Sequence, residues 1–173
     1  MAQPPLPLAY AEGCRLVLSD GRTLIDGISS WWCVAHGHAH PHLVAAVQEQ
    51  AQRMPHAMFA GLAHEPAYRL AARLIALAPH AESAAPLRRV FFSDSGSTAV
   101  EVALKMALQY WQNLGRPEKA RIACLERGYH GDTVGAMSVS DPGRGMHNPY
   151  QAMMVPQPVL PLPEDPQALA AFQ

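Results

Sequence analysis

Apolar positions change period along the chain, and each change marks an element. Residues 14–18 and 23–26 form short alternating apolar runs on either side of Ser19-Asp20-Gly21-Arg22. An Asp-Gly pair between two such runs predicts a hairpin, because glycine accepts the positive φ of a tight turn. Residues 1–9 are rich in proline and read as extended chain. After the hairpin, the stretch through Trp31, Trp32 and a run of histidines has no period and reads as irregular. From Pro41 to about Met54 the period becomes helical. Leu43, Val44, Val47, Ala51 and Met54 share one face, and proline suits a first helical position. A second helix is predicted over 66–77, with Leu70, Ala71, Leu74 and Ile75 inward and Pro79 as its stop.

Residues 89–93 read as a strand centred on Val90-Phe91-Phe92. The turn Asp94-Ser95-Gly96-Ser97 then leads into a long helix. Its broad apolar face holds Val100, Ala103, Leu104, Ala107, Leu108 and Trp111, and Gly115 ends it. A second strand is predicted over 121–125, a loop at 127–132 and a short helix over 133–139. Strand, helix, strand, helix gives the fold class α/β, with a parallel sheet and right-handed crossovers. Two strands are too few for a sheet that needs cover on both faces. Asp165-Pro166 opens a further helix that the last residue, Gln173, interrupts. The expectation is a piece of a longer protein.

Composition sharpens that expectation. Of 173 residues, 49% are hydrophobic and only 16% charged, against a usual charged share of about 25%. A disordered charged tail is excluded, and surface that more chain or a partner covers is expected. Thirteen basic residues against fourteen acidic ones, a net charge of -1, leave no polycationic face for nucleic acid. Cys14, Cys33 and Cys124 are scattered and odd in number, so neither a metal-binding pair nor a disulfide framework is expected. A reducing, cytoplasmic setting follows. The first residues lack the basic and apolar regions of a signal peptide. The longest uncharged stretch, 27–48, holds four histidines, a proline and two serines, so no membrane span is expected.

Four constellations can carry chemistry. Ser93-Asp94-Ser95-Gly96-Ser97-Thr98 sits between strand and helix, where free N–H groups and the helix dipole bind phosphate. It lacks the lysine of a Walker loop and the spacing of a dinucleotide fingerprint, and ordinary serine N-capping gives the same local sequence. Gly128-Tyr129-His130-Gly131-Asp132 follows the next strand. Ligands of open α/β sheets sit at the carboxyl ends of strands, so both loops should face one crevice. Tyr129 can stack on a flat ring there, or serve as a structural aromatic in a turn. In Ser29-Ser30-Trp31-Trp32 the adjacent indoles point different ways: one lines a pocket, or one is core and the other partly covered. His36, His38, His40 and His42 alternate, and imidazole binds zinc, copper or nickel. Gly37 and Pro41 oppose a regular strand, no cysteine or carboxylate lies close by, and no metal site is assigned. There is no Gly-x-Ser-x-Gly elbow, and Lys105 and Lys119 read as solvated structural residues.

These residues also carry a resemblance. Ala11-Glu12-Gly13-Cys14, Leu18-Ser19-Asp20-Gly21-Arg22, Asp26-Gly27-Ile28-Ser29-Ser30-Trp31-Trp32 and His40-Pro41 belong to it. So do Phe92-Ser93-Asp94-Ser95-Gly96-Ser97, Glu101-Val102-Ala103, Lys105-Met106-Ala107-Leu108-Gln109-Tyr110-Trp111-Gln112 and Gly128-Tyr129-His130-Gly131-Asp132-Thr133. Over about residues 5–150 the chain resembles the N-terminal part of the adenosylmethionine–8-amino-7-oxononanoate aminotransferase (diaminopelargonic acid synthase) family. That family consists of class III aminotransferases of pyridoxal phosphate fold type I, which act in biotin biosynthesis. Asp-Ser-Gly-Ser and Tyr-His-Gly-Asp are shared more widely in class III. The narrower signature is Ser-Ser-Trp-Trp with Gln-Tyr-Trp-Gln and the Gly-Asp-Thr-x-Gly-Ala-Met-Ser run.

The resemblance implies an incomplete fold type I (aspartate aminotransferase-like) architecture. Residues 1–40 would contribute to the small domain, and 41–173 would form the first part of the large, pyridoxal-phosphate-binding domain. Gly96 and Ser97 would hold the cofactor phosphate. Tyr129 would lie by the cofactor ring and touch substrate, and Trp31 would line the substrate pocket. Asp132 is expected to brace the Tyr129 loop. The implied reaction moves an amino group from S-adenosylmethionine to 8-amino-7-oxononanoate, giving 7,8-diaminononanoate, in a homodimer. The family's Schiff-base lysine, the aspartate on the pyridinium nitrogen, the substrate-carboxylate arginine and the threonine lent by a partner subunit all lie downstream. The His-x-Trp-His-Pro-Tyr segment is missing at the front, and Tyr10 does not replace its tyrosine. No catalytic residue is therefore expected within these 173 residues, and alone they are expected to be inactive. Two other readings stand beside this one. One is a class III aminotransferase for a diamine or ω-amino acid, against which the Trp31-Trp32 pair argues. The other is a non-catalytic, His-rich metal-binding or interaction module.

Overall fold

The Asp-Gly turn folds as its sequence dictates. In the computed structural model, which describes residues 4–79, 85–141, 143, 145–163 and 169–170, it joins β2 (Arg15–Leu18) to β3 (Thr23–Ile25). Gly21 has φ +88°, the Leu18 N–H reaches Arg22 O at 2.8 Å, and the Asp20 carboxylate takes the Arg22 N–H at 3.0 Å. The strands are antiparallel, with Arg15 opposite Ile25 and Val17 opposite Thr23. The front segment is extended, as expected, and its end joins the sheet. Leu8–Glu12 forms a third strand, β1, antiparallel to β2, with its register shifted between Leu8 and Tyr10. The prolines end at Pro7, so every residue of β1 keeps its N–H donor. Leu18, 2% exposed, is the buried side chain of this sheet, and such burial stabilises by about 1.5–3 kcal/mol.

The chain divides into two compact units, Met1–Ala72 and Arg73–Gln173. In the first, the stretch read as irregular contains an unusual element. Residues Ser29–Trp32 make a one-turn helix, α1, and it is left-handed. Ser29, Ser30, Trp31 and Trp32 have φ of +49°, +46°, +57° and +66°. Left-handed backbone costs an L-residue roughly 1–2 kcal/mol, so something must hold this run. The following segment is tied back to the sheet, where Gly13 and His38 exchange backbone hydrogen bonds of 3.0 and 2.8 Å. Two predicted helices then follow. In α2 (Pro41–Arg53) proline occupies the first turn as expected, and α3 (Glu65–Leu77) spans the division between the units. The apolar stripe Leu43, Val44 and Val47 stays largely exposed, in keeping with the low charge content.

In the second unit, α4 (Gly96–Asn113) is the predicted long helix. Ser95 caps it reciprocally: its Oγ accepts the Thr98 N–H at 3.2 Å, and its own N–H donates to Thr98 Oγ1 at 2.9 Å. Gly115, φ +70°, closes the other end. Beyond it, the Lys119 ammonium lies 3.9 Å over the Trp111 ring. The predicted parallel pairing is present but between different segments. β4 (Cys124–Leu125), shorter than the expected 121–125, pairs in parallel with β5 (Val159–Leu160). Residues 89–93, expected as a strand, run as irregular chain outside both sheets. A strand exists only as part of a ladder, and among the described residues β4 takes its ladder from β5 instead.

The short helix α5 (Val134–Ser138) forms within its predicted range, and a 3₁₀ segment covers Asn148–Met153. Ala136, Met137, Val139, Met154 and Cys124 make the core of this unit. Burial pushes the Cys124 thiol up, with the Asp141 charge adding to the effect, whereas Cys14 and Cys33 are exposed. Glu101 of α4 anchors α5: its Oε1 accepts the N–H groups of Gly135 at 2.7 Å and Ala136 at 3.3 Å. Of the helix expected from Asp165-Pro166, the structure describes only residues 169–170, which are helical. Among the described residues, no helix is long and apolar enough to cross a membrane.

Candidate functional site

The site is built on the N-terminus of α4. The first N–H groups of a helix lack intrahelical partners. Ser95 satisfies that of Thr98, but those of Gly96 and Ser97 have no partner among the described residues. Gly96 is bare, and a Cβ there would meet nothing within 4 Å. A bulky anion can therefore approach the backbone at the positive end of an eighteen-residue helix.

The Tyr-His-Gly-Asp loop is tied onto this end. Ser97 Oγ accepts the Asp132 N–H at 3.0 Å. A side chain on Gly131, whose φ is +130°, would collide with Ser97, so only glycine allows this approach. The two loops singled out in the sequence thus meet, and Gly96, Ser97 and Tyr129 belong to one structure.

Asp132 braces Tyr129, as expected, through a hydrogen bond from the Tyr129 hydroxyl to its Oδ2 at 2.9 Å. Its other oxygen is held by a residue the sequence did not announce. His147 Nε2 lies 3.0 Å from Asp132 Oδ1, and the His147 ring stacks on Tyr129 at 5.6 Å between centroids and 21° between planes. His147 is 5% exposed, whereas Tyr129 is well exposed. The His147 bond, and then the Tyr129 bond, hold the Asp132 carboxyl below its ordinary range. The same Asp132 bond raises the Tyr129 phenol, which stays protonated at neutral pH. A cavity of about 760 Å³ opens beside this group, with Asp132 and His147 at its polar side and Val134, Met137, Met146 and Tyr150 as apolar wall. No local motif marks His147; fifteen residues separate it from Asp132, and only the fold brings the two together.

Trp31 lies in the first unit, on the left-handed turn, 75% exposed, with Trp32 83% exposed. Neither indole is core, which removes one of the two readings of that pair. In the histidine run, His38 Nε2 is taken by Asp26 Oδ2 at 2.8 Å, and among the described residues no three potential ligands are grouped to hold a metal ion.

A helix N-terminus open to an anion is thus joined to an exposed, braced tyrosine. Residues 2–171 match the family described as aminotransferase class-III, and the chain belongs to that family. It is 52% identical over 164 residues to the adenosylmethionine-8-amino-7-oxononanoate aminotransferase of Synechococcus elongatus, covering 94% of this chain and 37% of that protein. It is 46% identical over 165 residues to the enzyme of the same name from Corynebacterium glutamicum, covering 93% and 38%. Among solved structures, the adenosylmethionine-8-amino-7-oxononanoate aminotransferase of Methanocaldococcus jannaschii superposes with a TM-score of 0.85 at 31% identity, over 97% of this chain and 37% of that one. A thermostable omega transaminase mutant from Pseudomonas jessenii gives 0.80 at 28%, over 92% and 34%. The chain thus has the transaminase fold over its own length and spans less than two fifths of the relatives it matches.

Proposed function

We propose that the intact protein carrying this chain transfers the amino group of S-adenosylmethionine to 8-amino-7-oxononanoate, giving 7,8-diaminononanoate. The observation that carries the reading is the Asp132 N–H to Ser97 Oγ bond, which joins an anion-binding helix end to a braced tyrosine. The choice of substrates is supported by relatives of that enzyme name at 46–52% identity. Pyridoxal phosphate fits the residues present: the free N–H groups of Gly96 and Ser97 and the bare surface of Gly96 suit its phosphate. When bound, this cofactor supplies an electron sink for the carbon that loses or gains the amino group.

The chain's own residues then have distinct tasks. Gly96 and Ser97 hold the phosphate, and Ser97 also fixes the Tyr129 loop through Asp132. Tyr129, neutral and held by Asp132, would lie by the cofactor ring and touch substrate. Trp31 would contact substrate. In the intact enzyme, residues 1–40 contribute to the small domain and 41–173 begin the large one. No residue of this chain is assigned the Schiff-base role. The intact enzyme is proposed to be a cytoplasmic homodimer acting on these small molecules. The test is rescue of a biotin auxotroph by the intact gene, followed by assay of the purified enzyme. Turnover of 8-amino-7-oxononanoate with S-adenosylmethionine is expected. Failure there, with turnover of a diamine or ω-amino acid, would assign the chain to an omega-transaminase activity instead.

A further inference from the structure

The left-handed turn α1 is held from one side by one carboxylate. Asp26 Oδ1 accepts the Ser30 N–H at 3.0 Å, and Asp26 Oδ2 accepts the Ser30 hydroxyl at 2.7 Å. Both donors of the residue at the centre of the strained run are therefore spent on Asp26. A third bond, 2.8 Å, links Asp26 Oδ2 to His38 Nε2. Neither Asp26 nor His38 takes its position from the turn. The Asp26 N–H is fixed by Cys14 O at 2.9 Å, and His38 by its two backbone bonds to Gly13. The Asp26 side chain is 5% exposed, while the indoles that the turn carries project outward.

Strained backbone survives where surrounding structure over-determines it, and it gathers at ligand-contacting positions. Here the strain serves no core, since neither indole is buried. What it fixes is the direction in which Trp31 leaves the chain. We propose that Asp26 and His38 are positioning residues that hold the left-handed Ser29–Trp32 turn and thereby set how Trp31 meets the substrate. This rests on the proposed function for the substrate contact of Trp31, though not for the clamp itself. A right-handed or extended turn would re-aim the indole without changing its chemistry.

The test uses the full-length enzyme loaded with cofactor and compares wild type, His38→Ala, His38→Gln and Trp31→Ala. Glutamine sets an amide nitrogen near the place of Nε2 and keeps a donor for Asp26. His38→Ala is expected to raise the KM for 8-amino-7-oxononanoate about tenfold with much less change in kcat, since small misplacements of a positioning group are costly. His38→Gln is expected to restore most of it. In a Trp31→Ala background, His38→Ala should add almost nothing, because the route through the indole is gone. A second readout is independent of turnover: the fluorine NMR shift of Trp31 in enzyme carrying 5-fluorotryptophan, its signal assigned by its loss in Trp31→Ala, expected to move in His38→Ala and to return in His38→Gln. An unmoved shift overturns the clamp. A KM effect that adds in full on top of Trp31→Ala overturns the action through Trp31. If 8-amino-7-oxononanoate is not a substrate at all, the proposed function fails, and the fluorine series still decides the clamp.

Discussion

Ser97 and Asp132 lie thirty-five residues apart in sequence and meet in one hydrogen bond, from the Asp132 N–H to Ser97 Oγ at 3.0 Å. The bond makes the helix end and the tyrosine loop a single piece. Ser97→Ala should therefore do two things at once: weaken pyridoxal phosphate binding and loosen Tyr129. A hydrogen bond to a charged group contributes about 1.5–3 kcal/mol, so an affinity loss of roughly tenfold to a hundredfold is expected. Titrating the full-length apoprotein and following cofactor absorbance measures it. Unchanged affinity would remove Ser97 from the phosphate site.

Gly131→Ala tests the same junction by steric means. The added methyl group collides with Ser97, and φ +130° is hostile to any side chain. Such strain costs on the order of 1–3 kcal/mol. Thermal unfolding should show a fall in Tm together with weaker cofactor binding. Gly96→Ala, where a Cβ meets open space, should spare stability and impair cofactor binding alone.

Glu101 fastens α5 to α4 through two backbone donors on one oxygen. Glu101→Ala leaves the N–H groups of Gly135 and Ala136 without that acceptor and should destabilise by about 1–3 kcal/mol. Glu101→Gln keeps a carbonyl oxygen and should cost less than half as much. Urea unfolding of both variants gives the comparison, and equal losses would mean that the charge, not the acceptor, matters.

The clamp carboxylate has a clear pH signature. Hydrogen bonds from the Ser30 backbone and hydroxyl, and then from His38, hold the Asp26 carboxyl at about 2, below its ordinary 3.8. A depressed carboxylate stabilises the fold above its unfolded value and loses that contribution as pH falls through the folded one. The contribution should be complete at pH 5 and decline between about pH 4 and pH 2. Carbon-13 NMR titration of the Asp26 carboxyl measures this directly, and a midpoint near 3.8 would mean that the three bonds are not made in solution.

Much of the fold was legible because its signals are local. The Asp20-Gly21 hairpin, Pro41 at a helix start, Ser95 before the long helix and Gly115 after it each announce a backbone geometry through one residue's chemistry. Strand pairing was harder to read. Val90-Phe91-Phe92 has strand composition but no ladder, whereas β1 and β5 gain their identity from neighbours that sequence does not show. The site divides in the same way. Gly96, Ser97 and Tyr129 stood out through motif, and the expected brace from Asp132 is present. His147 and the Asp26–His38 pair depend on contacts across twelve or more residues. The handedness of α1 had no local signal: Ser-Ser-Trp-Trp lacks the glycine that ordinarily marks positive φ.

The three thiols make the second unit its own gauge of breathing. Cys14 and Cys33 stand in solvent, while Cys124 is enclosed at the parallel pair with its thiol facing the carbonyls of Ser140 and Pro158. An alkylating reagent added to the native protein should mark the first two quickly and the third only when the β4–β5 region opens. With reagent in excess and closing fast, the ratio of the Cys124 rate to that of an unhindered thiol is the fraction of time this region spends open. Cofactor bound to α4 should slow that reaction without touching the other two. A time series of mass spectra would then report opening and cofactor occupancy together.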